Sequence, residues 1–334
     1  MHVIPFDAYG GVETAALSLK QVTTPYFDFR VHVLFPGVLS EKLRCKSLNP
    51  LRWLGQALAI AASPPDVLIV SLWRAALVGL LCKFIKPQIK LVVFLHCAYR
   101  VHLLDNWANL LAMKVATEIW SDSNASLEAT VPSEMREKCH VISYVPHKFE
   151  PVTAAEARPA FIFWGRLTRQ KNILRSIRLF ASIRKVYPNA AFMIVGPDGG
   201  EESSLRTLCR ELELGSSVTF AGGKPHRELI ELARDASFFL LTSEFEGLGL
   251  AVIEAMQLGL VPVVTNVGEV GHYCNHGVNA LVIDSDCKFL PEISAAIENK
   301  EKFSLLRSQA IKTWSNSLSY KESVIEECTR IVRM

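Results

Sequence analysis

No two of the eight cysteines form a Cys-x-x-Cys pair, and none gathers with histidines at the spacing of a metal centre. A zinc framework is therefore not expected, and no metal site is assigned. Cys82, Cys97 and Cys209 sit in apolar runs, where the thiol serves as a small hydrophobe; this is the usage of a reduced, cytoplasmic protein. Long hydrophobic runs are missing too. The most apolar stretch, Ala75 to Ile85, is too short to cross a bilayer and carries Arg74 and Lys83 at its ends. No basic segment leads into an apolar core at the start, so no signal peptide is expected. A dominant charge is also lacking. The net charge of +3 argues against a dedicated nucleic-acid binder, although residues 1–148 are mildly basic and the remainder is balanced. There is no internal repeat and no low-complexity run.

What is present is apolar patterning on the scale of two domains. The chain has 334 residues, half of them hydrophobic, and a mean hydropathy of +0.22. Parallel strands covered on both faces produce such values without a membrane span. Strands are expected at 2–5, 30–35, 66–71, 90–96, 118–122 and 140–144, then at 160–164, 190–195, 217–220, 238–241, 261–264 and 280–283. Helical periodicity falls between them, including 14–21, 51–61, 74–85 and 103–117, then 172–186, 201–212, 228–235, 249–258 and 290–299. Two successive α/β alternations imply two doubly wound parallel sheets, residues 1–147 and 160–316, joined by a linker rich in Pro, Ala and charge at 146–159. The last helix, within 317–334, either covers the second sheet or returns toward the first domain. In such sheets ligands bind beyond the carboxyl ends of the strands, so a cleft between the domains is the expected site.

The run from Leu241 to Gly259, LTSEFEGLGLAVIEAMQLG, carries the most chemistry. It starts as a buried strand, breaks at Gly247 and Gly249, and continues as an apolar helix with Glu254 inside it. A carboxylate among apolar residues is costly unless something hydrogen-bonds it. The backbone of Gly247, Leu248, Gly249 and Leu250 lies at the helix start, where unsatisfied N–H groups and the macrodipole attract anions. Carboxylates at Glu246 and Glu254, beside a positive helix end, suit a nucleotide-activated sugar; capping by Glu246 and a half-solvated Glu254 are the plainer alternatives. In FIFWGRLTRQKN, Gly165 turns the chain at a strand end, and Arg166 and Lys171 follow before the next helix. Two fixed cations there can offset the charge of a diphosphate leaving group, or simply be a solvated helix start, although basic residues at that end oppose the dipole. Gly10-Gly11 follows the first strand and lets backbone approach a ligand; it also fits an ordinary tight turn. His96 ends a buried strand at the ligand-facing edge, a position that suits packing as well as binding.

In this order and spacing the Gly10-Gly11 turn, the strand-ending His96, the Gly165-Arg166 and Lys171-Asn172 pairs, GPDGG at 196–200, EFEGLGLAVIEAM at 244–256, and VPVVTNVG with HGVNALVI over 261–283 resemble retaining glycosyltransferases of family 4. The resemblance is strong over 161–283 and thinner over 1–147. It implies the GT-B fold, two Rossmann-like domains facing across a cleft, with an acceptor-side N-terminal domain and a donor-binding C-terminal domain. It implies that Arg166 and Lys171 grip the donor diphosphate, with help from the Gly11 amide, and that Glu254 holds the ribose hydroxyls. Glu246 and the amides of Gly247 to Leu250 would address the transferred sugar and the distal phosphate, and His96 the sugar near its anomeric carbon. Catalytic duty thus falls on Arg166, Lys171, Glu246 and His96. Such enzymes work without a metal or another cofactor, the nucleoside-diphosphate-sugar being the donor substrate. The junction VPHKFEP replaces the family's frequent Pro-Asn-Gly, and Glu269 follows Gly268 directly, so contacts from those loops are not carried over.

The expected activity is transfer of a hexose-type sugar to a hydroxyl of a glycan or lipid-linked acceptor with retention, in bacterial surface polysaccharide or lipopolysaccharide synthesis. The alternatives are a nucleotide-sugar epimerase of the same two-domain form and a non-catalytic glycan- or nucleotide-binding module. Asp284-Ser285-Asp286 matches the Asp-x-Asp of metal-dependent transferases of another fold but reads as a polar strand-end turn. Trp53, Trp73, Trp107 and Trp120 read as packing residues, or one borders the acceptor groove. Lys83, Lys86 and Lys90 read as a solvated face or as a place of peripheral contact with an anionic membrane, which would put the protein at the inner face of the cytoplasmic membrane.

Overall fold

The computed structural model describes residues 1–7, 11–24, 27–36, 49–96, 103–143, 145, 147–154 and 156–334. Gly10 and residues 97–100 of the FLHCAYR run lie outside them. The chain divides into two compact units, Met1–Pro146 with Leu318–Met334, and His147–Ser317.

In the first unit, β1 (His2–Ile4) is followed by a small antiparallel pair, β2 (Thr23–Thr24) and β3 (Phe27–Asp28), and then by β4 (Val31–Val33), β5 (Val67–Ser71), β6 (Lys90–Leu95), β7 (Glu118–Ser121) and β8 (Cys139–Val141). The sheet runs β4-β1-β5-β6-β7-β8, every pairing parallel. β5 is buried along its whole length and β6 in all but its first residue, as expected of strands covered on both faces. Helices Pro50–Ala62, Trp73–Ile85 and Leu103–Val115 pack side by side in that order. Gly79 lets the middle helix lie close on the sheet, because a Cβ there would press on Val70 and Leu91.

The helix Tyr320–Arg333 belongs to this unit. Ser319 and Glu322 form a capping box at its start, and the Tyr320 amide donates to the Val145 carbonyl at 2.8 Å. Lys90 Nζ donates to the carbonyls of Ile331 and Val332 at the helix's far end, a cation where the macrodipole is negative. Lys83 Nζ is likewise occupied by the Pro87 and Ile89 carbonyls. Two of the three lysines read as a charged face therefore donate to main-chain carbonyls.

In the second unit, β9 (Ala160–Trp164), β10 (Ala191–Val195), β11 (Val218–Gly222), β12 (Phe238–Leu241), β13 (Val261–Val264) and β14 (Leu281–Val282) pair in parallel in the order β11-β10-β9-β12-β13-β14. The winding direction reverses between β9 and β12, which makes their carboxyl ends the switch point where such sheets bind ligands. A phenylalanine-rich core fixes this centre, with Phe161 stacked on Phe238 and Phe163 on Phe239. The segment read as a linker is docked here. The Phe149 amide donates to Gln257 Oε1, those of Val152 and Thr153 to the Leu258 carbonyl, and that of Arg158 to Ser237 Oγ.

Some boundaries differ from the sequence reading. Helix Asp286–Glu298 starts a turn earlier than expected and carries Pro291 inside it. Proline suits a helix's first turn and so suggests a start at its own position. Asp284-Ser285-Asp286 is thus the entry to that helix, with Asp286 bound by Arg175 at 2.7 Å. The short helix Asn124–Thr130 escaped the reading, and is fixed by Ser123 as N-cap.

Candidate functional site

Every candidate in the second unit lies on segments leaving the carboxyl ends of β9 and β12 or on the helix after β12. After Trp164 ends β9, Gly165 turns the chain, Arg166 stands exposed, and Leu167 turns inward to bond the Pro197 carbonyl. A single 3₁₀ turn, Arg169–Lys171, leads to Asn172, whose left-handed backbone (φ 46°) redirects the chain into helix Ile173–Val186. This loop is stitched to the one after β12. The Glu244 amide donates to the Gln170 carbonyl, Gln170 Nε2 to the Phe245 carbonyl, and Thr242 Oγ1 to the Asn172 carbonyl. The backbone thereby presents Lys171 to Glu246, and Nζ donates to Oε1 at 2.7 Å. Ser243 Oγ donates to the same oxygen at 2.6 Å. Glu246 is buried, so its carboxylate depends on these two donors.

The turn Gly247-Leu248-Gly249 enters helix Leu250–Leu258, with Gly249 left-handed (φ 72°) as its N-cap. The turn is held from behind. Half-buried Tyr273 donates from its hydroxyl to the Leu248 carbonyl at 2.9 Å, and the Glu269 amide donates to the Gly247 carbonyl at 3.0 Å. Burial pushes the Tyr273 hydroxyl well above the usual tyrosine range, so it stays a donor at all ordinary pH. Gly268 packs so closely under Glu246 that a Cβ would collide with the Glu246 carbonyl oxygen.

Glu254 projects from the first turns of this helix, and both its oxygens are bound. Trp164 Nε1 donates to Oε2 at 2.9 Å, and His226 Nε2 lies 3.1 Å from Oε1. The hydrogen bond to this carboxylate holds the imidazole of His226 above its ordinary pKa. Phe149 stacks on the His226 ring, and His147 lies against it at 5.1 Å between centroids. Burial, then the neighbouring His226, lowers the pKa of His147. The sequence reading did not pick out Trp164, His226, Ser243 or Tyr273. Trp164 could have been found as the last residue of a strand that aims its side chain at the ligand end; the others carry no local signal.

Two further candidates belong to the first unit. Gly11 is the first residue of helix Gly11–Ser18, after β1. His96 follows β6, and its ring is turned inward with a side-chain exposure of 2%. Ser71 Oγ lies between His96 Nε2 at 2.9 Å and His2 Nε2 at 2.8 Å; Asp122 Oδ2 stands 3.7 Å from His96 Nδ1. Burial lowers His2 to about 3, which keeps it neutral in this chain of polar groups. The residue as a whole is only half-buried, so what His96 shows to solvent is its main chain.

The sequence profile described as "Glycosyl transferases group 1" matches residues 145–313, half of the chain. The chain belongs to this family. Among curated relatives, the GDP-mannose:cellobiosyl-diphosphopolyprenol alpha-mannosyltransferase of Xanthomonas oryzae pv. oryzae is 23% identical over 220 residues, which is 64% of this chain and 56% of that protein. The chain thus spans little more than half the length of that relative. Among solved structures, HepE of Anabaena in complex with UDP superposes with a TM-score of 0.77 at 20% identity, covering 99% of this chain and 100% of that one. A glycosyltransferase from Rickettsia africae ESF-5 gives 0.78 at 15% identity, covering 99% and 97%. At these identities the structures speak for the fold, which is GT-B with two Rossmann-like units, and the group 1 profile lies almost wholly on the unit carrying Arg166, Lys171, Glu246 and Glu254.

Proposed function

We propose that this protein transfers a hexose-type sugar from a nucleoside-diphosphate donor to a hydroxyl of a glycan or lipid-linked acceptor, with retention and without a metal. The observation that carries the reading is the joining of Lys171 to Glu246 at the switch point of the second sheet. Arg166, exposed on the same loop, and the start of helix Leu250–Leu258 add positive character at the strand ends. A departing diphosphate gains negative charge, and fixed cations with peptide dipoles stabilise it without reorganising. Glu254, held by Trp164 and His226, is oriented to accept from a ribose. Named activities of relatives agree in kind: one uses GDP-mannose and a cellobiosyl-diphosphopolyprenol, and HepE has been seen with UDP-glucose.

In the proposed step the bond from the anomeric carbon to the diphosphate oxygen breaks while the acceptor oxygen bonds that carbon from the same face. The acceptor's proton passes to the leaving phosphate oxygen. Lys171 and Arg166 hold the diphosphate, and Glu246 with the Gly247 to Leu250 amides positions the sugar without acting as nucleophile. Gly11 and His96 are assigned contacts with diphosphate and sugar, that of His96 through its main chain. Synthesis of a bacterial surface glycan at the cytoplasmic side of the membrane is the proposed setting.

Melting the protein with UDP-, GDP- and ADP-sugars tests the reading first. A true donor near a hundredfold its Kd stabilises by about 3 kcal/mol through linkage. With that donor, product from a lipid-linked acceptor in EDTA, its new linkage read by proton NMR, is expected to keep the donor's anomeric configuration. Full dependence of turnover on added Mg²⁺, or an inverted product, overturns the mechanism. Interconversion of the donor sugar with no acceptor would identify an epimerase.

A further inference from the structure

We infer that Ser71 is a positioning residue for the transfer reaction, the middle link of a one-way hydrogen-bond chain that runs from Tyr320 through His2 and Ser71 to His96. The chain holds the His96 main chain in place at the strand end. This rests on the proposed transfer, in which His96 meets the sugar through its main chain. Strand register sets the links in a row. His2 of β1 lies beside Ile69 of β5, two residues before Ser71. Ser71 lies beside Phe94 of β6, two before His96. Phe94 in turn lies beside Trp120 of β7, two before Asp122. With a side-chain period of two, His2, Ser71, His96 and Asp122 share one face across four neighbouring strands. Helix Tyr320–Arg333 lies on that face, with Tyr320 stacked on Phe94 and Arg330 bound to Glu118. Phe94 also packs against the rings of His2 and His96. The side chains of the row are buried in this aromatic setting, where a hydrogen bond gains strength and an unmade one is costly.

The two ends dictate which way the protons point. A carboxylate only accepts, so His96 Nδ1, which faces Asp122 Oδ2 at 3.7 Å, is the ring nitrogen that carries the hydrogen. His96 Nε2 is then an acceptor and takes the Ser71 hydroxyl proton at 2.9 Å. With its one hydrogen committed, Ser71 Oγ accepts from His2 Nε2 at 2.8 Å. Burial lowers His2 to about 3, so its ring holds a single hydrogen and its Nδ1 is left to accept. The Tyr320 hydroxyl stands 3.5 Å from that nitrogen, and burial raises its pKa, which keeps it a donor. Every link therefore donates toward Asp122. Ser71 bonds both imidazoles, so its loss breaks the chain in the middle and frees the His96 ring to turn. A ring fixed in rotamer and tautomer fixes the main chain that bears it.

Nitrogen-15 NMR of the full chain labelled at histidine reads the proton order with no donor or acceptor present, the two signals being assigned by their loss in His2→Gln and His96→Gln. A neutral His96 with hydrogen on Nδ1 and a neutral His2 with hydrogen on Nε2 are expected. Turnover with the donor found by melting then reads the role. Ser71→Ala is expected to lower kcat about tenfold while the donor KM stays within about twofold, since the diphosphate grip lies in the second unit. Tyr320→Phe removes only the far hydroxyl and should lower kcat about threefold; it decides in place of Ser71→Ala should that variant fold poorly. The double variant should lose no more than Ser71→Ala alone, because a broken chain no longer transmits the change at Tyr320. A merely structural role would lower melting, leave kcat of the folded protein unchanged and give independent losses. The inference is overturned by hydrogen on His2 Nδ1, by a doubly protonated His96, or by parent-like kcat in Ser71→Ala or in Tyr320→Phe. A parent that turns over no nucleotide sugar is a different failure, that of the transferase reading itself.

Discussion

Lys171 and Glu246, far apart in sequence, are hydrogen-bonded at 2.7 Å, and the carboxylate of that pair is buried. Each is therefore the other's counter-charge before any ligand binds. Lys171→Ala leaves Glu246 with Ser243 as its remaining side-chain donor, and a loss of about 1–3 kcal/mol in denaturant unfolding is expected. Donor affinity should fall by about 10- to 100-fold in the same variant, read by titration. The double variant Lys171→Met, Glu246→Gln should regain stability but not turnover. Strict additivity of the single-variant losses would show that the pair is not coupled.

His226 and Glu254 give a pH dependence whose direction follows from the raised histidine pKa. The protonated imidazole is favoured in the folded protein, so the pair's contribution is complete below about pH 6.5, the unfolded value. It fades as pH rises through the folded value. Because the His226 side chain is half exposed, screening keeps this below about 1 kcal/mol. NMR titration should place the His226 pKa above the ordinary value in the parent and lower in Glu254→Gln. In His226→Ala the donor KM should rise with little change in kcat, since Glu254 keeps only Trp164 to orient it. An unchanged His226 titration in Glu254→Gln would show that the carboxylate is not its cause.

Both sheets were legible because buried parallel strands leave short continuous apolar runs between helical periods, as at β9 and β12. Glu246 and Glu254 were legible as charges interrupting such runs, and Arg166 and Lys171 as cations at a strand end. Their partners were not. Trp164 lies within the strand run FIFW and His226 ahead of the helix expected at 228–235, and neither was picked out; only the fold brings them to one carboxylate. The inward turn of His96 is equally non-local, because Ser71 and His2 reach it from two other strands.

Gly268 tests how closely the loop after β13 supports the candidate site. Its backbone is left-handed at φ 53°, and an added Cβ would meet the Glu246 carbonyl. Gly268→Ala carries a conformational cost of about 1 kcal/mol, and the collision must also move the 246–247 backbone. Turnover is expected to drop at least about tenfold, as a shift near 1 Å at a positioned group commonly does, with melting lowered by only a few degrees. Full activity in Gly268→Ala would separate Glu246's position from this loop.

Arg330 makes the C-terminal helix a stability element of the first unit. Its guanidinium donates to Glu118 Oε2 at 2.7 Å and to Glu327 Oε2 at 2.6 Å. Glu118 is buried at the start of β7, where Trp120 Nε1 also donates to it at 3.1 Å. Removing the cation by Arg330→Ala leaves the buried carboxylate with the Trp120 donor and with His140 Nε2 at 3.8 Å, which is expected to cost about 2–3 kcal/mol. Glu118→Gln in the same chain should recover much of that loss, since a neutral amide needs no counter-charge. Hydrogen exchange can locate the effect: amides of β6 and β7 should exchange faster in Arg330→Ala, while those of β9 and β12 stay protected. Equal acceleration in both sheets would mean that the helix does not act on the first unit alone.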